Sequence, residues 1–284
     1  MIREDGGIDL KDVEILELLK KSEYSVIFKV LFHETTCVMK YHNQPYREWD
    51  PPDREVNFYV CESTAYRRLK AKGFCERKII PDFYGTITNI HPRQWPHLWM
   101  FVDDELPPTA IVIEYVPNMH RIDLTNFSPQ NVQILREILE DIHLAGVLHD
   151  DTYPRNMMIS RDPSTDQVRV LWIDFDRAQT FSESLSEWQK EQLEEETEIM
   201  DEFIQLLTQD NEQGELYHAY AFYFGVFGPL GWAMDYEWVQ EKYAIPEPPP
   251  GPSWEEFQRV AKEQESQWKI GGENTREVTV AWDS

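Results

Sequence analysis

Three polar residues near the middle of the chain have the types and the spacing that phosphoryl transfer needs. Asp151 is followed five residues later by Asn156, and Asp174 comes after a stretch that could form a hairpin. A carboxylate can accept the proton of an attacking hydroxyl, and carboxylate and amide oxygens are ligands for Mg²⁺. Because phosphoryl transfer depends mainly on positioning and on neutralising phosphate charge, a base and two metal ligands at one point would meet its demands.

The sequence between these residues predicts the element that brings them together. Residues 157–160 are apolar enough for a short strand, residues 161–166 form a turn-favouring cluster, and residues 168–173 are a second β-rich run. Two antiparallel strands would return Asn156 and Asp174 toward one another. The alternative is that each of the three polar residues only caps a turn or a strand end, as short polar side chains often do.

The segment resembles the catalytic loop and metal-binding motif of the protein-kinase-like superfamily. Residues 149–156 are His-Asp-Asp-Thr-Tyr-Pro-Arg-Asn and residues 174–176 are Asp-Phe-Asp, against family patterns of H-R-D-L-x-x-x-N and D-F-G. The sequence of this motif resembles the aminoglycoside-phosphotransferase-like branch and small kinase-like proteins of fungi more closely than it resembles the Ser/Thr or Tyr protein kinases. The resemblance extends over about residues 18–179. It implies a bilobal α+β fold, with an N-terminal antiparallel sheet that carries one helix and a mainly helical C-terminal lobe.

The N-terminal part contains a lysine and a glutamate that fit the same resemblance. Strands are predicted at residues 13–19, 26–32 and 37–41, and Val38-Met39-Lys40 resembles the V-A-I-K pattern whose lysine holds the nucleotide phosphates. A helix is predicted over residues 54–71. The resemblance implies that Glu62 on this helix orients Lys40, with Glu55 as the competing candidate and a solvated surface glutamate as the alternative for either.

Two further pairs of residues are predicted to bind the nucleotide. The turn between the first two strands, Lys20-Lys21-Ser22-Glu23-Tyr24-Ser25, lacks the glycines of a kinase-like phosphate loop, so Ser22 and Ser25 would have to supply the hydroxyl and amide donors. Strand 110–116 ends at a proline, where a kinase-like chain passes between lobes. The resemblance implies that the backbone of Glu114 and Val116 bonds an adenine.

Composition excludes several classes of partner. The formal net charge of −25 disfavours nucleic acid and anionic membranes as partners. That field would suit a cationic small molecule, or it would serve only to keep the chain solvated. Three cysteines without C-x-x-C spacing, a polar N-terminus and the lack of an apolar run of roughly 20 residues favour a reducing, cytoplasmic location.

Outside the motif, most segments are predicted to be structural. A helix is expected over residues 129–145, a surface loop over 91–108, and an acidic helix with a solvated charged face within 182–213. His149 and Arg155 are expected to support the catalytic loop, and Asp176, which replaces the D-F-G glycine, is expected to face solvent. An aromatic segment at 217–238 is expected to be core rather than a substrate pocket, and a further helix is expected at 254–268. The predicted divisions are an N-terminal lobe at 1–116, a C-terminal lobe at 117–245, and a proline-rich connector and tail at 246–284.

Together these features predict an ATP- and Mg²⁺-dependent phosphotransferase that acts on a hydroxyl of a small molecule. Asp151 would accept or orient the hydroxyl, Asn156 and Asp174 would hold Mg²⁺, and Lys40 would bind phosphate. Two alternatives remain open: a pseudokinase or interaction protein that keeps the fold, and a kinase-like enzyme with nucleotidyl-transfer or non-phosphorylating chemistry. A protein kinase is disfavoured because no A-P-E-like docking motif follows Asp174.

Overall fold

A computed structural model describes residues 7–22, 25–42, 54–104 and 106–224. The predicted connector and tail at 246–284 and the predicted helix at 254–268 lie outside the described residues. The boundary between the two predicted lobes, at 116–117, stays a prediction. Among the described residues, every helix is either too short or too polar to span a membrane.

The N-terminal part is a five-stranded antiparallel sheet. Its strands are β1 (Val13–Lys21), β2 (Ser25–Phe32), β3 (Thr35–His42), β4 (Phe83–Ile87) and β5 (Thr109–Glu114), in the spatial order β1-β2-β3-β5-β4. Side chains alternate along β2, where Val26, Phe28, Val30 and Phe32 are buried and the residues between them are half-buried. One face of the sheet therefore belongs to a hydrophobic core.

The segment 91–108, expected as a surface loop, covers the apolar face of this sheet. It forms two 3-10 helices, Pro92–Gln94 and Pro96–Phe101, and Leu98 and Phe101 are buried against β2 and β3. The loop prediction is wrong here because two apolar side chains within the segment complete a core that the strands cannot close alone.

Helix α1 (Phe58–Ala71) packs on the opposite face of the sheet, against β4 and β5. It begins at Phe58, because the side chain of Asn57 accepts a hydrogen bond from the amide of Val60 and caps the first turn. The prediction that it begins at residue 54 is wrong, and Glu55 lies outside the helix. Gly73, with φ of +84°, follows its end as expected.

The C-terminal part is mainly helical. It contains β6 (Met119–Arg121), α2 (Pro129–Leu144), β7 (Val147–Leu148), β8 (Met157–Arg161), β9 (Val168–Trp172), β10 (Gln179–Thr180), α3 (Glu187–Gln213) and α4 (Tyr220–Phe224). Strands β8 and β9 pair as the predicted hairpin, with β6 on the other side of β8, and β7 pairs with β10. The predicted α+β architecture is confirmed.

A continuous hydrophobic core joins the two parts. Trp172 is fully buried, and its indole Nε1 donates to the carbonyl of Leu135 in α2 at 2.9 Å. Phe222 and Tyr223 are buried in the same core, and the Tyr223 hydroxyl donates to the carbonyl of Ile122 at 2.8 Å. Within the described residues, the predicted aromatic segment thus contributes to the core, as expected, although Tyr217 is exposed.

The three cysteines are buried and unpaired. Burial raises the pKa of the Cys37 thiol to about 11, that of Cys61 to about 12 and that of Cys75 to about 11. These side chains behave as small apolar residues of the core.

Candidate active site

A buried lysine of the sheet contacts the C-terminal part. The Nζ of Lys40 lies 2.8 Å from Oδ2 of Asp176 and 3.2 Å from Oε2 of Glu62, and it donates a hydrogen bond to Oδ1 of Asp174. Only 4% of Lys40 is exposed. Three carboxylates from two distant parts of the sequence therefore share one ammonium group.

This cluster shifts the pKa values of its members in different directions. Burial alone would lower the pKa of Lys40, but Asp174, Asp176 and Glu62 outweigh burial and raise it well above its usual value. Burial and the neighbouring Asp174 charge raise the pKa of Asp176 to about 7, despite Lys40. Burial also acts to raise the pKa of Asp174, but the charge and hydrogen bond of Lys40 hold it well below its usual range. Lys40 thus stays charged, and Asp174 stays ionised beside it.

Asp176 was expected to face solvent, and that prediction is wrong. Its carboxylate points back to Lys40, because Asp174 has a left-handed backbone (φ +64°) that turns the chain at this point. The side chain of Asp176 remains 20% exposed.

Of the two candidate glutamates, Glu62 lies at the lysine and Glu55 does not. Glu62 projects from α1 and is almost completely buried, and its Oε2 lies 2.7 Å from Nε2 of His42 as well as near Lys40. Burial lowers the pKa of His42, which favours the neutral imidazole. The backbone of Glu55 instead exchanges two hydrogen bonds with the side chain of Gln179, at 3.0 and 2.9 Å.

The loop between β7 and β8 places Asp151 and Asn156 against each other. The Nδ2 of Asn156 donates to Oδ2 of Asp151 at 2.6 Å and to its carbonyl at 2.9 Å. Both residues are buried, and Arg155 donates to the second carboxylate oxygen of Asp151. Arg155 therefore binds the carboxylate of Asp151 directly, in addition to its expected role of supporting the loop.

The Asp151 pair and the Lys40 cluster are joined through the backbone of Ile173. The amide of Ile173 donates to the carbonyl of Asn156 at 3.1 Å, and its carbonyl lies 3.0 Å from Nε2 of His149. The His149 ring is fully buried between the rings of Trp172 and Phe175. His149 supports the loop, as its position in the sequence predicted.

Glu196 of α3 is the buried residue that sequence reasoning missed. Its Oε1 accepts from the Asp150 amide at 2.6 Å and from the Thr152 hydroxyl at 2.8 Å, and its Oε2 accepts from the His149 amide at 3.0 Å. His143 lies 2.7 Å from the same Oε2. The prediction of a solvated face is wrong for this residue, which anchors the start of the β7–β8 loop to α3.

The residues predicted to bind adenine lie where β5 ends. The Glu114 amide already donates to the carbonyl of Asp82 at 2.8 Å, so any backbone contact of Glu114 with a base would use its carbonyl. The Glu114 side chain makes a two-pronged ion pair with Arg169 of β9, at 2.7 and 2.9 Å. Val116 is buried next to this junction.

Ser22 and Ser25 lie on either side of the β1–β2 turn and bond each other. The Ser22 amide donates to the Ser25 carbonyl at 2.8 Å, the Ser25 amide donates to the Ser22 hydroxyl at 3.0 Å, and the two hydroxyls lie 3.0 Å apart. The donors predicted to reach phosphate are thus used to close the turn.

Part of the chain matches a known family. Residues 119–220, about a third of the chain, match the lipopolysaccharide kinase (Kdo/WaaP) family, which belongs to the protein-kinase-like superfamily. The chain has a protein-kinase-like fold. The matched part includes Asp151, Asn156 and Asp174, whereas Lys40 and Glu62 precede it. A comparison with curated proteins found no match. The closer resemblance to aminoglycoside phosphotransferases and fungal proteins stays a prediction.

The residues of this kinase-like site suit Mg²⁺ by their chemistry. Because Nδ2 of Asn156 is bonded to Asp151, its amide oxygen is the atom left to act as a ligand, and Asp174 offers carboxylate oxygens. Mg²⁺ is usually held by one or two such protein ligands together with phosphate oxygens and water. In the part of the chain that the structure describes, no three His, Cys, Asp or Glu side chains form a metal site by themselves.

Proposed function

We propose that this protein transfers a phosphoryl group from ATP to a hydroxyl of a small molecule. The observation that carries the proposal is the Lys40 cluster: one buried ammonium is held by Glu62 from α1 and by Asp174 at the end of the catalytic segment. A buried lysine oriented by a glutamate is ready to receive phosphate oxygens. A structural ion pair would not require a third and a fourth charge in the same place.

The site residues take separate roles in this proposal. Asp151 accepts or orients the substrate hydroxyl, and its contact with Arg155 and Asn156 fixes the direction of its carboxylate. Lys40 binds the phosphates once they displace it from Asp174, and Glu62 keeps it oriented. Asn156 and Asp174 hold Mg²⁺, which when bound neutralises phosphate charge during the transfer.

The class of substrate follows from the family match. The matched family consists of lipopolysaccharide kinases, so a carbohydrate hydroxyl is the acceptor that we favour. The net charge of −25 adds a preference for neutral or cationic acceptors over anionic ones.

The test is ADP release by the full chain with ATP, Mg²⁺ and a panel of neutral sugars, sugar acids and amino sugars. We expect one class to stimulate release, and the mass of the product to rise by one phosphate. Asp151→Asn should lower kcat on the order of 10²- to 10⁴-fold, because a positioned base is lost. Asp103→Asn, at an exposed carboxylate, is the matched control and should retain full activity. A product whose mass rises by a nucleotide instead of a phosphate would contradict phosphoryl transfer and would indicate nucleotidyl transfer.

A second candidate function is a pseudokinase that binds nucleotide without turnover. The observation that favours it is the glycine-free β1–β2 turn, in which Ser22 and Ser25 already satisfy each other. Thermal stabilisation by ATP with no ADP release for any acceptor would support this candidate against the phosphotransferase.

A further inference from the structure

Strand β1 ends next to the candidate site and carries two consecutive lysines. After a bulge between Leu18 and Lys20, the register places Lys20 opposite Ile27 of β2, and Ile27 opposite Lys40 of β3. Residues directly opposite one another on adjacent strands direct their side chains to the same face of the sheet. Lys20 therefore shares a face with Lys40, two strands and about 10 Å away.

The neighbouring Lys21 belongs to the other face. It pairs with Val26, a buried residue of the hydrophobic core, and its Nζ lies 5.8 Å from the centre of the Trp99 ring. Two adjacent and exposed lysines thus have different surroundings, one on the face of the sheet that carries Lys40 and one over the core-side surface.

The Lys20 side chain is exposed at the end of β1. Within the described residues, no hydrogen bond or ion pair engages the Lys20 ammonium, so it remains available to an anion on this face of the sheet.

The site needs more positive charge than Lys40 provides. Glu62, Asp174 and Asp176 already surround that one ammonium, and a triphosphate would add further negative charge. In a glycine-rich turn, backbone N–H groups would meet part of this need. Here the amides of Ser22 and Ser25 are engaged within the turn.

We propose that Lys20 is a second phosphate-binding residue, whose side chain supplies from β1 the positive charge that a glycine-rich loop supplies through its backbone. The ligand class is a nucleoside di- or triphosphate, and the inference rests on the proposed function. The long flexible stem of lysine lets a point charge reach phosphate oxygens from a strand end, without the close backbone approach for which glycine is needed.

The test compares Lys20→Ala with Lys21→Ala in the full chain, by titration with ATP, ADP and adenosine. We expect Lys20→Ala to lower the affinity for ATP and for ADP about tenfold, which is typical for the loss of a charged hydrogen bond. The affinity for adenosine should not change. Lys20→Arg should restore most of the affinity. Lys21→Ala removes the same charge from the opposite face and should bind all three ligands as the unmodified chain does. Melting temperatures of all variants should agree, because both lysines are exposed.

Each other outcome overturns a defined part of this inference. Equal ATP affinity of Lys20→Ala and the unmodified chain overturns the role of Lys20 and leaves the proposed function intact. Equal losses in Lys20→Ala and Lys21→Ala would show a general effect of net charge and also overturn it. An unmodified chain that binds adenosine, ADP and ATP equally poorly overturns the proposed function together with the inference.

Discussion

Glu196 holds Asp150 by a 2.6 Å hydrogen bond from the Asp150 amide, across 46 residues of sequence. Asp150 has a left-handed backbone, with φ of +59°, and immediately precedes the proposed base Asp151. A residue other than glycine keeps such a conformation only where its surroundings compensate for it. The buried carboxylate of Glu196 provides that compensation, and so sets the direction in which Asp151 leaves the loop.

Replacing Glu196 by Gln should therefore weaken both the fold and the activity. The NH₂ of Gln would face the backbone N–H of either Asp150 or His149, each of which now donates to a carboxylate oxygen, so we expect a loss of about 2–4 kcal/mol in the free energy of unfolding. Denaturant titration measures this loss, and ADP release should fall with it. Glu194→Gln, at an exposed position of the same helix, should change neither quantity. Similar unfolding midpoints for the two variants would contradict the anchoring role.

The same residue predicts how stability depends on pH. Burial acts to raise the pKa of Glu196, but the hydrogen bond and charge of His143 and the contacts with the loop lower it below its ordinary value of 4.5. A depressed folded-state pKa gives stability that is fully present above pH 4.5 and is lost as the pH falls through the folded-state value. The stability gap between the unmodified chain and Glu196→Gln should thus shrink as the pH is lowered below 4.5. A gap that is constant or widens in acid would be inconsistent with this linkage.

Lys40→Met should abolish most activity and also destabilise the protein. The change leaves Glu62, Asp174 and Asp176 close together without their cation, which should cost about 3 kcal/mol. Loss of the phosphate contact should lower kcat on the order of 10²-fold or more. Thermal denaturation and ADP release measure the two effects, with Lys72→Met, an exposed lysine after α1, as the control. Full ADP release by Lys40→Met would exclude its phosphate role.

Arg169 and Glu114 connect the five-stranded sheet to the three-stranded sheet of β6, β8 and β9, at the end of β5. Besides its two bonds to Glu114, Arg169 donates to the carbonyls of Lys78 at 2.7 Å and Ile80 at 2.9 Å. Lysine cannot reproduce this planar set, so Arg169→Lys should lower the free energy of unfolding by about 1–3 kcal/mol. Arg161→Lys, whose partner Asp166 is highly exposed, should change it by less than about 0.5 kcal/mol. Equal melting temperatures for the two variants would refute the claim that Arg169 braces this junction.

Gly146 lies between the end of α2 and β7, and its φ of +75° is one that glycine adopts freely. A Cβ here would lie 3.2 Å from Nη1 of Arg68 and 3.5 Å from the carbonyl of Phe181. Gly214 has nearly the same φ, +74°, but a Cβ there would meet nothing within 4 Å. Alanine should therefore cost about 1 kcal/mol at Gly214 and about 2 kcal/mol at Gly146, as measured by denaturant titration. A larger loss at Gly214 would show that contact with Arg68 and Phe181 is unimportant.

Local patterns predicted much of this fold. Helix α2 was predicted over 129–145 and spans Pro129–Leu144, because Ser128, Pro129 and Gly146 determine its ends by their own backbone preferences. The β8–β9 hairpin is likewise encoded by neighbouring residues. The order of the motifs along the chain also predicted that Lys40 lies next to Asp174, as it does in the structure. The catalytic roles of the two residues stay predictions.

What the sequence did not reveal depends on contacts between distant segments. Glu196 lies within a run of glutamates, and only its position on the buried stripe of α3 distinguishes it from exposed neighbours. Every buried residue of that helix follows a spacing of three and four: Leu193, Glu196, Met200, Phe203, Leu207 and Asp210. A carboxylate on an apolar stripe was the available signal, because such a group must find donors elsewhere. The direction of Asp176 carried no comparable signal, since it depends on the turn at Asp174.

Because the three thiols are buried, their chemical reactivity can report local unfolding of the elements that carry them. Their raised pKa values leave almost no thiolate at neutral pH, so an aromatic disulfide reagent should modify them only when their surroundings unfold. Cys37 belongs to β3, whereas Cys61 lies in α1, which carries Glu62. The order in which these two sulfurs are labelled would show whether the helix separates from the sheet before the sheet itself comes apart, without adding a single foreign probe.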